Sequence, residues 1–298
     1  MMDLDSVPKK TGRFSSFDGT QVYYEVRGEG RPIIFCYGIA CLFNHWTHQI
    51  DFFSRFQQTI LFDYRGHHQT PIPEEKDNLT IQALADDLIA LCEHLNIEKA
   101  DFVGHSFGVQ VLLLAYKRRP DLFGHLVFVN GLYRNPFEAF LSAPDAVEVI
   151  NQAKKMYNQA PQIFHFLWER GVTNPLLIPV SSFLGGFNLS KTAMKDIEIY
   201  ARGVSAIDIR VFLTFFEQMI EFNQEELLTK IKVPTLIICG SKDALTPLDE
   251  QNKMKELIPN SELQVVPYGS HCTQLDFPEM VNLKIQQFIN LKPRALHT

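Results

Sequence analysis

The chain lacks what would direct it to a membrane or to nucleic acid. Nowhere in its 298 residues do about 18 apolar residues run together, so no membrane-spanning helix is expected. The opening stretch, "MMDLDSVPKKTGRF", has no apolar core of a secretory signal. Positive charge is in deficit: 28 Lys and Arg stand against 34 Asp and Glu, a formal net charge of -6, and no long run of one sign occurs. That balance excludes a basic surface for nucleic acid or anionic lipid. Cysteine is sparse and odd in number. The five, Cys36, Cys41, Cys92, Cys239 and Cys272, are widely scattered, and two of them (Cys36 and Cys239) sit inside apolar strand-like runs. This fits reduced core thiols in a cytoplasmic protein. Cys272 neighbours a histidine but reads as an inert thiol. Internal repeats and low-complexity segments are missing as well.

What is present is an alternation. With 46% hydrophobic residues the chain can bury a substantial core, as one large domain or as a domain carrying an insertion. "QVYYEVRG", "PIIFCYG", "TILFDYRG", "ADFVGH", "HLVFVNG", "PTLIICG" and "LQVVPYG" read as strands, several ending in glycine. Between them lie helix-period segments: "TIQALADDLIALCEHLN", with Thr80 as its N-cap, then "VQVLLLAYKRR", "DEQNKMKELIP" and "PEMVNLKIQQFI". Continuous apolar strands between amphipathic helices predict an α/β fold, a mostly parallel sheet covered by helices on both faces. From Arg134 to about Glu226 the rhythm breaks into helical pattern with aromatics: Phe137, Phe140, Phe164, Phe166, Trp168, Phe212, Phe215 and Phe216. We read 134–226 as an inserted helical cap, and 1–133 with 227–298 as the core. Most of these rings would pack the insertion itself; the rest would line its underside.

One pentapeptide stands out. Gly104-His105-Ser106-Phe107-Gly108 joins an apolar strand to a long apolar helix. A serine between two such glycines suits a turn too tight for side chains, with the hydroxyl displayed at the helix N-terminus, where developing negative charge is favoured. The alternative is a serine that merely caps the helix. As a nucleophile Ser106 would need a base, and the base an orienting acid. "PTLIICGSKDALTP" sets Asp243 just past one strand, and "LQVVPYGSHCTQLDFPE" sets His271 just past the next. Asp249 and Asp276 compete as the acid, but Asp249 starts a helix and Asp276 lies farther beyond its strand; each reads as an N-cap or solvated carboxylate. His105 adjoins the nucleophile, His67 and His68 share a loop, and His45 and His48 suit one helix face. A zinc site from these last four would need an acidic or cysteine ligand at fixed spacing, and no such motif occurs.

On "GHSFG", "GSKDALTP" and "GSHCTQLDFPE", supported by "FCYG" and "DYRGHHQTP", the chain resembles the α/β-hydrolase family, as a serine esterase or lipase-like member with a helical cap. The resemblance runs over nearly the whole chain. It implies Ser106 as nucleophile, Asp243 as acid and His271 as base, with backbone N–H groups of Ile39 and Phe107 as the oxyanion hole. It implies neither cofactor nor metal. Three positions depart from the usual pattern. Tyr37-Gly38 stands for His-Gly; His68 replaces the second glycine of the "DxRGxGxS" run, calling for an altered loop or a different backbone; and Val109-Gln110 follows the elbow. None removes a catalytic group.

The resemblance implies acyl transfer to water. Related enzymes that open epoxides or remove halide use an aspartate nucleophile, which Ser106 excludes. Asn130, in "VFVNGL", occupies a place where some relatives carry the acid, and this favours Asp243. The aromatic insertion points to a small hydrophobic carboxylic ester or thioester. Carbon–carbon bond hydrolysis, perhydrolase activity, and a non-catalytic small-ligand binder stay open as alternatives, although an intact triad argues against the last.

Overall fold

A computed structural model describes residues 7–135, 143–172, 174 and 186–289. Phe137 and Phe140 lie outside the described residues. Eight strands form one sheet: β1 (Lys9–Ser15), β2 (Gln21–Arg27), β3 (Pro32–Cys36), β4 (Gln58–Phe62), β5 (Ala100–His105), β6 (Phe123–Val129), β7 (Thr235–Gly240) and β8 (Ser261–Val266). Their spatial order is β1-β2-β4-β3-β5-β6-β7-β8. β2 pairs antiparallel with β1 and β4, and every other pairing is parallel. All seven strand-like runs become strands. The eighth, β1, has a mostly exposed, polar sequence, KKTGRFS, that shows no apolar pattern. It exists because β2 offers it a ladder, an edge effect that sequence periodicity does not register.

β5 and β7 are buried at every residue. Side chains alternate across a sheet, so burial along a whole strand means that both faces are covered. The covering helices include α1 (Thr47–Phe53), α2 (Ile81–His94) and α3 (Phe107–Arg118). Thr80 caps α2 as expected, its hydroxyl accepting the Ala83 N–H at 3.0 Å.

Between β6 and β7 the chain leaves the sheet. The helices described there are α4 (Ala143–Gln159), α5 (Pro161–Val172), α6 (Met194–Ser205) and α7 (Ile209–Glu221). Among the described residues no named strand interrupts them, and the only pairing is an isolated bridge from Arg134 to Asn223. Asp208 starts α7 by accepting the Arg210 N–H at 2.9 Å. The inserted helices are fastened to the core: Gln218 of α7 accepts the Ile81 N–H at 2.9 Å and donates to the Leu79 carbonyl at 2.8 Å. No described helix is long and apolar enough to cross a membrane.

Candidate active site

The β5–α3 junction bends as the two glycines imply. Ser106 sits at φ 52° and ψ −119°, a conformation that side-chain-bearing residues rarely adopt. The bend is held from both sides: the Ser106 N–H donates to Val129 at 3.1 Å, and its carbonyl accepts the Val109 N–H at 3.0 Å. A Cβ on Gly108 would collide with the Cys36 carbonyl, so the helix start can approach β3 only as glycine. The Ser106 side chain makes no capping bond to α3, which disposes of the capping alternative. Its hydroxyl is displayed instead to a cavity.

Asp243 and His271 meet at the C-terminal ends of β7 and β8. His271 Nδ1 lies 2.9 Å from Asp243 Oδ2. The carboxylate is itself fixed by the Leu245 N–H at 2.8 Å, the Thr246 N–H at 3.0 Å and the Thr246 hydroxyl. It cannot turn away from the ring without losing these donors. Ser106 and His271 line the same cavity but are not hydrogen-bonded to each other in this conformation. Ile39 lines it as well, on the loop after β3, and Phe107 is the first residue of α3. Among the described residues, no protein acceptor takes the N–H of Ile39 or of Phe107.

The competing acids separate. Asp249 is exposed in the first turn of helix Leu248–Leu257, a solvated carboxylate as expected. Asp276 is not: it is buried and accepts from the Ser270 N–H and hydroxyl, at 2.6 and 2.7 Å, and from the Thr192 hydroxyl. The chain turns back beneath the inserted segment right after His271, and this encloses a group that looks free in the sequence.

Asn130 and His105 hold the His271 backbone in place. Asn130 Nδ2 donates to the His271 carbonyl at 2.7 Å while its Oδ1 accepts the Gly240 N–H at 2.8 Å, so one amide bridges the end of β7 and the His271 loop. His105 Nε2 lies 2.9 Å from the same His271 carbonyl. Its Nδ1 is 3.1 Å from His45 Nε2. Burial holds His45 down to about 3 and His105 well below its ordinary value, so both rings are neutral hydrogen-bonding groups. His45 and His48 do not share a helix face: His45 is buried in the tight turn Phe43–Trp46, while His48 lies in α1 against Asp196 at 3.2 Å.

Two of the three departures, Tyr37 and His68, help to fasten the loop after β3. The Tyr64 hydroxyl donates to the Tyr37 carbonyl and the Tyr64 N–H donates to the Tyr37 hydroxyl, both at 2.9 Å. His67 Nε2 accepts the Ala40 N–H at 3.2 Å. His68 takes the left-handed backbone, φ 46°, that glycine would favour, and its Nε2 donates to the Cys41 carbonyl at 2.9 Å. Val109 and Gln110 are buried in α3.

A cavity of about 570 Å³ lies between the sheet and the inserted helices. Ser106, His271 and Ile39 form its floor, and Trp168, Phe212 and Phe216 are among the apolar side chains above them. Phe215 faces the core instead, 5.4 Å from the Phe107 ring, and Phe166 points outward at 56% exposure. Part of the aromatic set therefore lines the cavity and part does not.

Among the described residues one set of potential metal donors is present. Nitrogens of His45 and His105 and the Cys272 sulfur lie within 4.8 Å of one another, all buried. Two of the three already share a hydrogen bond, and burial pushes the Cys272 thiol well above its ordinary range, against the thiolate that metals require. All five cysteines are free and buried.

Residues 31–162 and 199–278 match the alpha/beta hydrolase fold family, and the chain belongs to it. Mouse protein ABHD8 (Mus musculus) is 25% identical over 294 residues, 96% of this chain but 62% of that protein, so the chain spans less than two thirds of its length. The putative carbamate hydrolase RutD of Caulobacter sp. (strain K31) is 26% identical over 279 residues, covering 90% of this chain and 96% of that one. An esterase from Thermogutta terrifontis superposes with a TM-score of 0.74 at 22% identity, over 94% of this chain and 98% of that one. At that identity the likeness speaks for the fold alone.

Proposed function

We propose that the protein is a serine hydrolase that cleaves a carboxylic ester or thioester of a small hydrophobic substrate through an acyl-enzyme on Ser106. His271 takes the Ser106 proton as Oγ attacks the carbonyl carbon. The N–H groups of Ile39 and Phe107 receive the oxyanion, each contributing on the order of 3 kcal/mol to the transition state. As the tetrahedral intermediate collapses, the carbon–oxygen or carbon–sulfur bond breaks and His271 protonates the leaving group. Water, deprotonated by the same ring, then frees the acid and restores Ser106. Asp243 orients His271 throughout. Residues 134–226 act as a cap that closes the acyl site.

The observation that carries this reading is the Asp243–His271 pair at 2.9 Å, opening on the apolar cavity that displays Ser106. The cavity volume, about 570 Å³, falls within the range of small-molecule sites. Fluorophosphonate labelling and a panel of p-nitrophenyl esters test it. Wild type should label at Ser106 and turn over the panel. Ser106→Ala should lose both while keeping its melting temperature, and His271→Ala should be nearly as severe because the two act as a unit. Turnover above a few per cent of wild type in both variants would sink the assignment.

A further inference from the structure

Asp276 joins two parts of the molecule that are far apart in sequence. Its Oδ2 serves the base loop, accepting the Ser270 N–H at 2.6 Å and the Ser270 hydroxyl at 2.7 Å, one residue before His271. Its Oδ1 serves the inserted segment, accepting the Thr192 hydroxyl and, at 3.3 Å, the Asn188 N–H. A carboxylate has only acceptor sites, so four donors from two sides make it the shared anchor of a seam. The seam continues on both flanks. Asn188 Nδ2 donates to the Tyr268 carbonyl at 2.7 Å, and Phe187 and Ile197 pack with Cys272 and Leu275 in a separate hydrophobic cluster. Phe187 and Ile197 also line the cavity. An acyl group in the cavity would therefore touch the same segment that Asp276 fastens to the base loop.

We propose that Asp276 is a positioning residue that makes the seating of segment 186–197 and the placement of His271 one event. With the segment docked, Asp276 is fully engaged and holds Ser270, and the His271 backbone with it. With the segment undocked, the carboxylate loses half its donors, and water competes for a group that is 5% exposed in the closed form. Substrate binding beneath the segment thus favours the geometry in which the base is set. This rests on the serine-hydrolase reading for its catalytic consequence, though not for the coupling itself.

Thr192→Val tests it, since valine keeps the shape, removes only the donor on the segment side and touches neither His271 nor Ser106. Two measurements are made well below the melting temperature: hydrogen exchange of peptides covering 268–276, and kcat, KM and the Ser106 labelling rate with a p-nitrophenyl ester and a fluorophosphonate. Thr192→Val should speed exchange around Ser270 and His271, lower kcat and labelling about tenfold, the scale of one buried hydrogen bond to a charge, and raise KM several-fold, because a substrate that favours the docked segment binds less well once the segment is loosened. Asp276→Asn, which turns an amide N–H toward donors, should fall further, and adding Thr192→Val to it should change little more. Wild-type exchange and kcat in Thr192→Val, with only a lowered melting temperature, would overturn the latch. A wild-type chain that fails to label at Ser106 would overturn the hydrolase reading instead, and the exchange measurement would still decide the seam.

Discussion

Tyr37 stands where relatives by resemblance carry histidine, and it fastens the loop by different means. Its hydroxyl lies 3.3 Å from Asp63 Oδ1 and its carbonyl accepts from Tyr64, so a pair of tyrosines ties the end of β3 to the loop after β4. Burial pushes Asp63 up to about 7, against the Gln69 N–H that favours its ionised form. Above its unfolded value near 4 the unfolded chain sheds this proton while the folded chain keeps it, so stability falls as pH rises from about 4 toward 7, by up to roughly 1.4 kcal/mol per unit. Asp63→Asn removes the penalty. Its melting temperature relative to wild type should be higher at pH 8 than at pH 4, and an equal difference at both values would refute the burial of this charge. Asp243 is the proposed orienting acid, held beside His271 by three donors. Asp243→Asn should cut kcat about a thousand-fold or more, whereas the exposed Asp249→Asn should stay within about tenfold of wild type. The placement of Ser106, Asp243 and His271 was readable because each follows a strand and a turn motif. Asn130 and Asp276 were not, because their roles depend on partners 141 and 84 positions away.

At the scale of elements, helix α2 is tied to the loop after β4 by an ion cluster rather than by apolar packing alone. Arg65 is wholly buried, and its guanidinium donates to both oxygens of Asp87 at 2.7 Å and to Asp18. Removing the cation strands Asp87 in a place that water does not reach. Arg65→Met should therefore cost about 3–5 kcal/mol, read by denaturant titration, while Arg65→Met with Asp87→Leu should recover much of that loss. A double variant as unstable as the single one would show that the cluster is more than a charge balance. The elements were largely foreseeable. α2, α3 and the seven apolar strands follow from periodicity and caps, which are properties of near neighbours. β1 was missed because its residues carry no apolar pattern; it is a strand only by pairing.

The whole molecule decides the substrate. The cavity is roofed by α5, α6 and α7 and floored by the loops after β3, β5 and β8. Each buried methylene of an acyl chain contributes about 0.8 kcal/mol, so kcat/KM should rise several-fold per carbon until the cavity is filled. Esters of roughly four to eight acyl carbons should outperform acetate at least tenfold. Gly171 of α5 lines this space, and a Cβ there meets nothing within 4 Å. Gly171→Phe should therefore shift the optimum to shorter chains without slowing acetate turnover, and an unchanged profile would place the acyl group elsewhere.

The sequence alone determined the alternation of strand and helix, the sharp bend at Ser106, the existence of a helical insertion, and the placement of Ser106, Asp243 and His271 just past strands of the sheet. These depend on backbone sterics, side-chain period and turn chemistry, which act over a few residues. Tertiary structure decided which polar groups lose their water. It buried Asp276 between the inserted segment and the His271 loop, set His45 beside His105, and turned some aromatics to the cavity and others to the core or to solvent. Burial is a sum over contacts from the whole chain, and no local stretch carries it.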